Sequence, residues 1–377
     1  MSILIKTVTS RKDLKTFARF ANNLYKGNEY YVPCLIFDDM NTLDKNRNGA
    51  FEFCEAEYFL AYKNGELVGR VAAIINHKAN ETWDVKQVRF GWFDFIDDIE
   101  VSKALLDAVI AFGKSKGMTH IAGPLGFTDF DPEGMLVEGF DRISTMALIY
   151  NHPYYPEHMK QLGYHKETGW GEFRITLPDS IPDRHKQLSK LVMERNNLKV
   201  RKLTLKQIRK ERYGQKLFQL INQTYSILYG FSMLSEKQID QFVDTYLSLI
   251  DPRMLTFIED ENGELIAAGI SMPSIANALQ KCRGELFPFG WWHLVKSMFI
   301  KRSDTVELLL IGVRPDYKNK GIPTILICDL LETYNRLGFK YAETNAMLET
   351  NTAVRSLWAP FEHEQHKRRW IFAKEIE

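Results

Sequence analysis

The sequence predicts a two-domain α/β chain, and three observations predict it. Residues Glu57–Ile75, EYFLAYKNGELVGRVAAII, and Met254–Met272, MLTFIEDENGELIAAGISM, both read as strand, two-residue Asn-Gly turn, strand, the strongest short-range hairpin signal. KALLDAVIAFGKSKGMTHIAG and PTILICDLLETYNRLGFKYAETN both read as an amphipathic helix stopped at a glycine, Gly117 or Gly338, and followed by a short strand. Each half then closes with an asparagine-led helix and a last strand: NHPYYPEHMKQLGY with GEFRITL, and NTAVRSLWAPFE with RRWIFAKEI. Matched landmarks in the same order indicate an internal repeat. They set domains at 1–178 and 198–377, joined by a linker, 179–197, with Pro178 and Pro182 as breakers. Helices are expected before each hairpin, over Lys12–Leu24 in the first half and over Leu205–Tyr229 and Glu236–Ile250 in the second.

Composition is that of a soluble globular protein: 377 residues, 45% hydrophobic and 26% charged, with a net charge of +1. Nothing in that balance points to nucleic acid. The four cysteines, Cys34, Cys54, Cys282 and Cys328, lack metal-ligand spacing and read as free thiols in a reducing compartment. No signal-peptide pattern or membrane-length apolar run is present, so the expected location is cytoplasmic.

The stretch Thr305–Tyr334 carries the chemistry. Thr305–Val313 is an apolar, β-branched strand, Arg314–Gly321 a short basic loop ending in glycine, and Pro323 sits in the first turn of a helix. A strand, a glycine loop and a helix N-terminus converge backbone N–H groups on one place, and the helix dipole adds positive charge there. Lys318 and Lys320 supply mobile charge beside it. The reading is a pyrophosphate cradle, with an ordinary strand–turn–helix crossover as the alternative. Neither G-x-x-x-x-G-K-[ST] nor G-x-G-x-x-G is present.

This loop, V-R-P-D-Y-K-N-K-G-I-P, resembles the acyl-CoA loop of the GNAT superfamily of N-acyltransferases, [QR]-x-x-G-x-[GA] after a strand ending in V-x-P. Gly321 matches the central glycine. Lys318 stands in place of Gln or Arg, and Pro323 in place of Gly or Ala. The resemblance spans the chain as a tandem duplication. It implies two GNAT-like domains, each a mixed, mostly antiparallel sheet flanked by helices. It also implies acetyl-CoA or a longer acyl-CoA as co-substrate, with no metal. The residues implied to contact CoA are Gly312, Val313, Lys318, Asn319, Lys320, Gly321, Ile322, Thr324 and Asn351. At the position of the family's usual tyrosine acid stands Trp358, which is no proton donor of use.

The first half has FDFIDDIEVSK at the matching loop, with Asp97, Asp98 and Glu100 and no glycine. Carboxylates at a helix N-terminus satisfy the dipole and repel a pyrophosphate, so this copy is expected not to bind CoA. Its long acidic stretch Gly123–Asp141 reads either as a lid that attracts a cationic amine or as a solvated turn. That stretch, with IYNHPYYPEHMKQLGY, YYVP (Tyr30–Pro33) and GELFPFGWW (Gly284–Trp292), is similar to tandem bacterial GNAT proteins of the ceramide synthase type, which N-acylate a long-chain amino-alcohol base.

Acyl transfer to an amine needs a base for the ammonium proton and a donor for the developing oxyanion. Glu307 is the lone carboxylate of its strand: it is the candidate base, or else it marks a solvent-exposed strand start. Tyr317 is the first candidate acid, with Tyr341, Tyr150, Tyr154, Tyr155 or solvent as substitutes. A helix from Trp291 places Trp291, Leu294, Val295, Met298 and Phe299 on one face and Lys296, Lys301 and Arg302 on the other. Segment 287–302 fits core packing, a subunit contact in a homodimer, or peripheral contact with the inner membrane surface. The expected partners are acyl-CoA and an amine. The amine is a lipid base in one reading and a small polar amine or protein lysine in another. A non-catalytic acyl-CoA-binding module is the third.

Overall fold

The computed structural model describes residues 2–246 and 250–376. They form two compact units that interleave along the chain. The first takes Met1–Gly171, Ile275–Ile300 and His366–Glu377; the second takes Glu172–Ser274 and Lys301–Gln365.

In the first unit β1 (Leu4–Thr7), β2 (Cys54–Lys63), β3 (Glu66–Asn76) and β4 (Gln87–Phe95) pair antiparallel in that order. β4 then pairs in parallel with β5 (His120–Gly123). The β2–β3 turn is the expected one: Lys63 faces Glu66, and Asn64 and Gly65 take φ of 54° and 84°, the left-handed pair a tight hairpin requires. β6 (Met135–Glu138) lies beyond β5, followed by β7 (His165–Thr176). Helices Arg11–Leu24 and Ile99–Ser115 bury apolar faces on the sheet, with Val101, Leu105 and Val109 fully buried against β3 and β4 residues.

The second unit repeats the plan with β8 (Lys199–Arg201), β9 (Leu255–Glu259), β10 (Leu265–Pro273), β11 (Thr305–Val313) and β12 (Tyr341–Thr344) in sheet order. Its β9–β10 connection is longer than a two-residue turn. Glu259 faces Leu265, and Asp260 accepts the amides of Asn262 and Glu264 through its carboxylate. An Asp side chain that bonds its own loop outcompetes the tight turn expected from Asn262-Gly263. The helix Ile322–Leu337 stops at Gly338 with φ 79°, as expected. The helix expected over 236–250 is observed as Glu236–Tyr246, and 247–249 lie outside the described residues.

The last strands do not stay with their own halves. Arg174–Thr176 of β7 pairs with β12, inside the second unit. After the short β13 (Met347–Leu348), the chain's final strand, β14 (His363–Glu375), pairs through Phe372–Glu375 with β5, inside the first. Each unit therefore completes its sheet with the other half's last strand. Segment 275–300, expected in the second domain, packs with the first unit.

The stretch read as a lid is instead packed. Leu125 and Phe127 are buried, Gly126 lies against Asp131, and Asp131 accepts the Thr128 amide. Burial pushes the Asp131 carboxyl up to about 7.

The first unit holds a buried ion pair at its centre. Arg70 on β3 donates to Asp94 on β4 at 2.8 Å and to the Phe17 and Ala18 carbonyls of the first helix. It thereby ties strand pair to helix where apolar packing alone would not set the register. Asp39 also stands 3.9 Å from the guanidinium, but Asp94 is its hydrogen-bonded partner, so Asp94→Ala is expected to destabilise the fold by about 3 kcal/mol in urea denaturation. Loss of under about 1 kcal/mol would contradict this role.

Candidate functional site

The site is built on β11. Its parallel ladder with β12 covers only Thr305–Leu308 against Tyr341–Thr344, while its antiparallel ladder with β10 continues to Val313. Leu309 is an extra residue: Ile270 faces Leu310 but Ser271 faces Leu308. This bulge turns the strand and ends pairing with β12. Beyond it β11 has a strand partner on one edge alone. In a strand the N–H and C=O of one residue point to the same edge. The Arg314 amide bonds the Ile266 carbonyl of β10, so Ile311 and Val313 present their main-chain groups to the open edge. The Ile311 carbonyl there accepts from the Tyr225 phenol at 3.0 Å instead of from a strand. Gly312 makes room for this: a Cβ would stand 3.2 Å from Thr224 Oγ1 and 3.3 Å from Ile221 Cδ1, on the helix Tyr213–Tyr225.

The loop after β11 closes on itself before the helix begins. Tyr317, Lys318 and Lys320 donate their amides to Arg314, Pro315 and Tyr317. Asn319 and Gly321 take φ of 61° and 78°, which turns successive amides toward one side. Among the described residues, the amides of Asn319, Gly321 and Ile322 make no hydrogen bond within the chain, Pro323 has none to give, and the Thr324 amide bonds the Gly321 carbonyl. Thr324 therefore offers its hydroxyl. Three amides at the start of a 16-residue helix, with exposed Lys318 and Lys320 beside them, are donors of the kind an anion requires. Neither lysine has an ion pair among the described residues. Arg314, by contrast, is committed to Asp316, at 2.8 and 3.0 Å.

The remaining predicted residues fall in different places. Glu307 is 3% exposed, which rules out the solvent-exposed strand start. Val306 and Ala342 pack under the helix Ile322–Leu337, so Glu307 and its register partner Glu343 face the opposite side of the sheet. Glu343 is also buried and meets the Arg174 guanidinium at 3.3 Å. Tyr317 sits in the loop with its ring 4.3 Å from the Lys320 ammonium and 5.0 Å from the Arg314 guanidinium, holding those cations. Tyr341 lies under Arg174. Asn351 accepts the Val354 amide and so caps the short helix Thr352–Arg355. Trp358 packs on the second unit's core with its indole N–H buried and unbonded among the described residues.

Two residues escaped the sequence reading. Glu343 lies in a strand where alternation gave no sign that it would stand beside Glu307. Tyr225 ends a helix read only for its apolar periodicity. Burial pushes its phenol up to about 12, so it keeps its proton through the neutral range.

The first unit carries the same apparatus in closed form. β4 and β11 are both nine residues long, each pairs in parallel through its first residues alone, and Arg89 occupies the position of Glu307. Here Leu125 donates to the Phe90 carbonyl as Asn345 donates to the Leu308 carbonyl in the second unit; the difference lies at the strand end, where Phe95 donates to Tyr155 and Tyr154 donates to the Phe95 carbonyl. Tyr154, Tyr155 and Tyr150 are thereby committed within the first unit, the last to the Phe140 carbonyl. Asp98 caps the next helix through the Glu100 amide and pairs with Lys63, whose hydrogen bond holds its carboxyl below the usual range. Strand edge and helix terminus are both already satisfied.

No protein-family model matches the chain. The Escherichia coli (strain K12) protein YghO is 28% identical over 383 residues, 99% of this chain and 95% of that protein. A protein of Caulobacter vibrioides (strain NA1000 / CB15N) named bacterial ceramide synthase is 24% identical over 355 residues, 92% of this chain and 91% of its own. Among solved structures, a tandem GNAT protein from the clavulanic acid biosynthesis pathway superposes with a TM-score of 0.55 at 10% identity, over 100% of this chain and 99% of that one. Two copies of one sheet-and-helix plan, each with a bulged strand that parts from its parallel neighbour, give this chain the tandem GNAT fold.

Proposed function

We propose that the chain is an acyl-CoA-dependent N-acyltransferase that holds the coenzyme on its second unit and acylates a long-chain lipid amine. The observation that carries the reading is the contrast between two equivalent strand ends. The Val313 main chain and the amides of Asn319, Gly321 and Ile322 have no partner among the described residues in one unit, whereas in the other Phe95, the counterpart of Val313, is bonded to Tyr154 and Tyr155 and the helix start is capped by Asp98. A pantetheine arm carries amides that pair with an open strand edge, and a diphosphate suits the cradle and its lysines. The Caulobacter relative's name supports the lipid amine as acceptor.

In this reading the acceptor ammonium enters beside Glu307 and Glu343, loses its proton to Glu307, and attacks the thioester carbon. The carbonyl oxygen takes up charge against main-chain N–H groups of the β11 edge. The C–S bond breaks, the thiolate takes a proton from Tyr225, whose raised pKa keeps that proton in place until then, and the acylated nitrogen gives its second proton to the phenolate, leaving a neutral amide, a free thiol and a restored phenol. Tyr317 fixes Lys320 over the diphosphate. Trp358 is not part of the chemistry.

Two measurements test this. Palmitoyl-CoA is expected to raise Tm more than acetyl-CoA, and Gly321→Val or Lys318→Glu/Lys320→Glu to weaken coenzyme binding about tenfold or more. Stabilisation by acetyl-CoA alone would favour a small acceptor instead. Glu307→Gln is expected to lower kcat by about 10²-fold or more while leaving coenzyme affinity within about threefold. Unchanged kcat in that variant would remove Glu307 from the mechanism.

A further inference from the structure

Segment 281–300 of the first unit ends in an exposed aromatic tip on an anchored base. The base is held tightly. Gln280 donates to the Glu29 and Tyr31 carbonyls, Asn22 to the Arg283 carbonyl, and the Ile36 amide to the Gly284 carbonyl. Gly284 and Gly290 admit no side chain, since a Cβ would stand 2.2 Å from the Cys34 carbonyl oxygen and 1.8 Å from that of Glu285. The helix Gly290–Val295 and the wider turn Lys296–Ile300 contain no fully buried residue: of the predicted stripe, Leu294, Val295 and Met298 are half-buried and Trp291 and Phe299 exposed, so packing accounts for only part of it. Instead Phe287 is 79% exposed, Phe289 76%, Ile300 63% and Phe299 59%, with Trp291 and Trp292 near half. Six large exposed apolar side chains between Phe287 and Ile300, on a braced loop, suit a partner surface.

Charge decides which partner. Lys281, Arg283 and Lys296 are exposed and have no ion pair among the described residues. Glu285 is the one carboxylate between 281 and 300 and is matched by Arg19. A second copy of this chain docking through the same patch would set these cations against themselves, because a two-fold contact is self-complementary. An anionic surface meets them favourably. Trp and Phe beside Lys and Arg are the side chains suited to a headgroup–acyl boundary. No helix among the described residues is long and apolar enough to cross a membrane, so contact through this tip is peripheral. We infer that Phe287–Ile300 is a docking surface for an anionic lipid bilayer: the aromatic tip inserts at the interface and Lys281, Arg283 and Lys296 face the headgroups.

The test uses the full chain without coenzyme, co-sedimented with vesicles of phosphatidylcholine alone or with about 30% phosphatidylglycerol. Binding to the anionic vesicles is expected, falling as salt rises, with a blue shift of tryptophan emission. Phe287→Ser/Phe289→Ser and, separately, Lys281→Glu/Lys296→Glu are expected to weaken it about tenfold. Leu191→Ser, an exposed apolar residue of the second unit, is expected to leave it unchanged. None of the substituted side chains is buried, so thermal melts should coincide with that of the parent. Equal binding to both vesicles, no binding, or variants that bind like the parent would overturn the inference. So would a dimer in sedimentation velocity that Phe287→Ser/Phe289→Ser dissolves. The assay reads no acyl transfer, so it fails or succeeds independently of the proposed activity.

Discussion

Main-chain hydrogen bonding at one strand edge governs this molecule. A buried strand that loses a neighbour must satisfy its N–H and C=O groups by other means, because an unmet group inside a protein costs about 1–3 kcal/mol. β11 parts from β12 after Leu308, and one side chain, Tyr225, compensates for the Ile311 carbonyl. β4 faces the same problem after Arg89, and there the protein closes the strand end at Phe95 with Tyr154 and Tyr155. The duplicated fold thus holds one strand end, at Phe95, bonded by protein on both main-chain groups, and one, at Val313, without such partners among the described residues.

The same division runs through the charges. The helix after β4 begins at a carboxylate, Asp98, tied to Lys63, and the helix after β11 begins at a glycine preceded by Lys318 and Lys320. The helix dipole favours an anion at both, and the first already has one. At the middle of the sheet Arg89 stands where the second unit has Glu307, so the two units present opposite charge at equivalent depth.

Much of this was legible in the sequence because it rests on local constraints. Gly321 and Gly338 adopt the left-handed conformations their positions implied, Asn64-Gly65 makes its turn, and the acidic start of Ile99–Ser115 reads directly as a capped helix. What was hidden depends on distant partners. No pattern in GEFRITL or RRWIFAKEI says which sheet they join, since a strand's alternation marks its faces and not its neighbours. Glu343 and Tyr225 become notable only when the fold sets them beside Glu307 and Ile311. Asp260 reshaped a turn through its own side chain, and Phe127 drew an acidic stretch into the interior against the trend of its composition.

A crystal structure of the chain with bound coenzyme A tests the central claim most directly. The diphosphate is expected on the amides of Asn319, Gly321 and Ile322, and the pantetheine along Ile311–Val313. Coenzyme found against Phe95 and Asp98, or away from both strand ends, would contradict it.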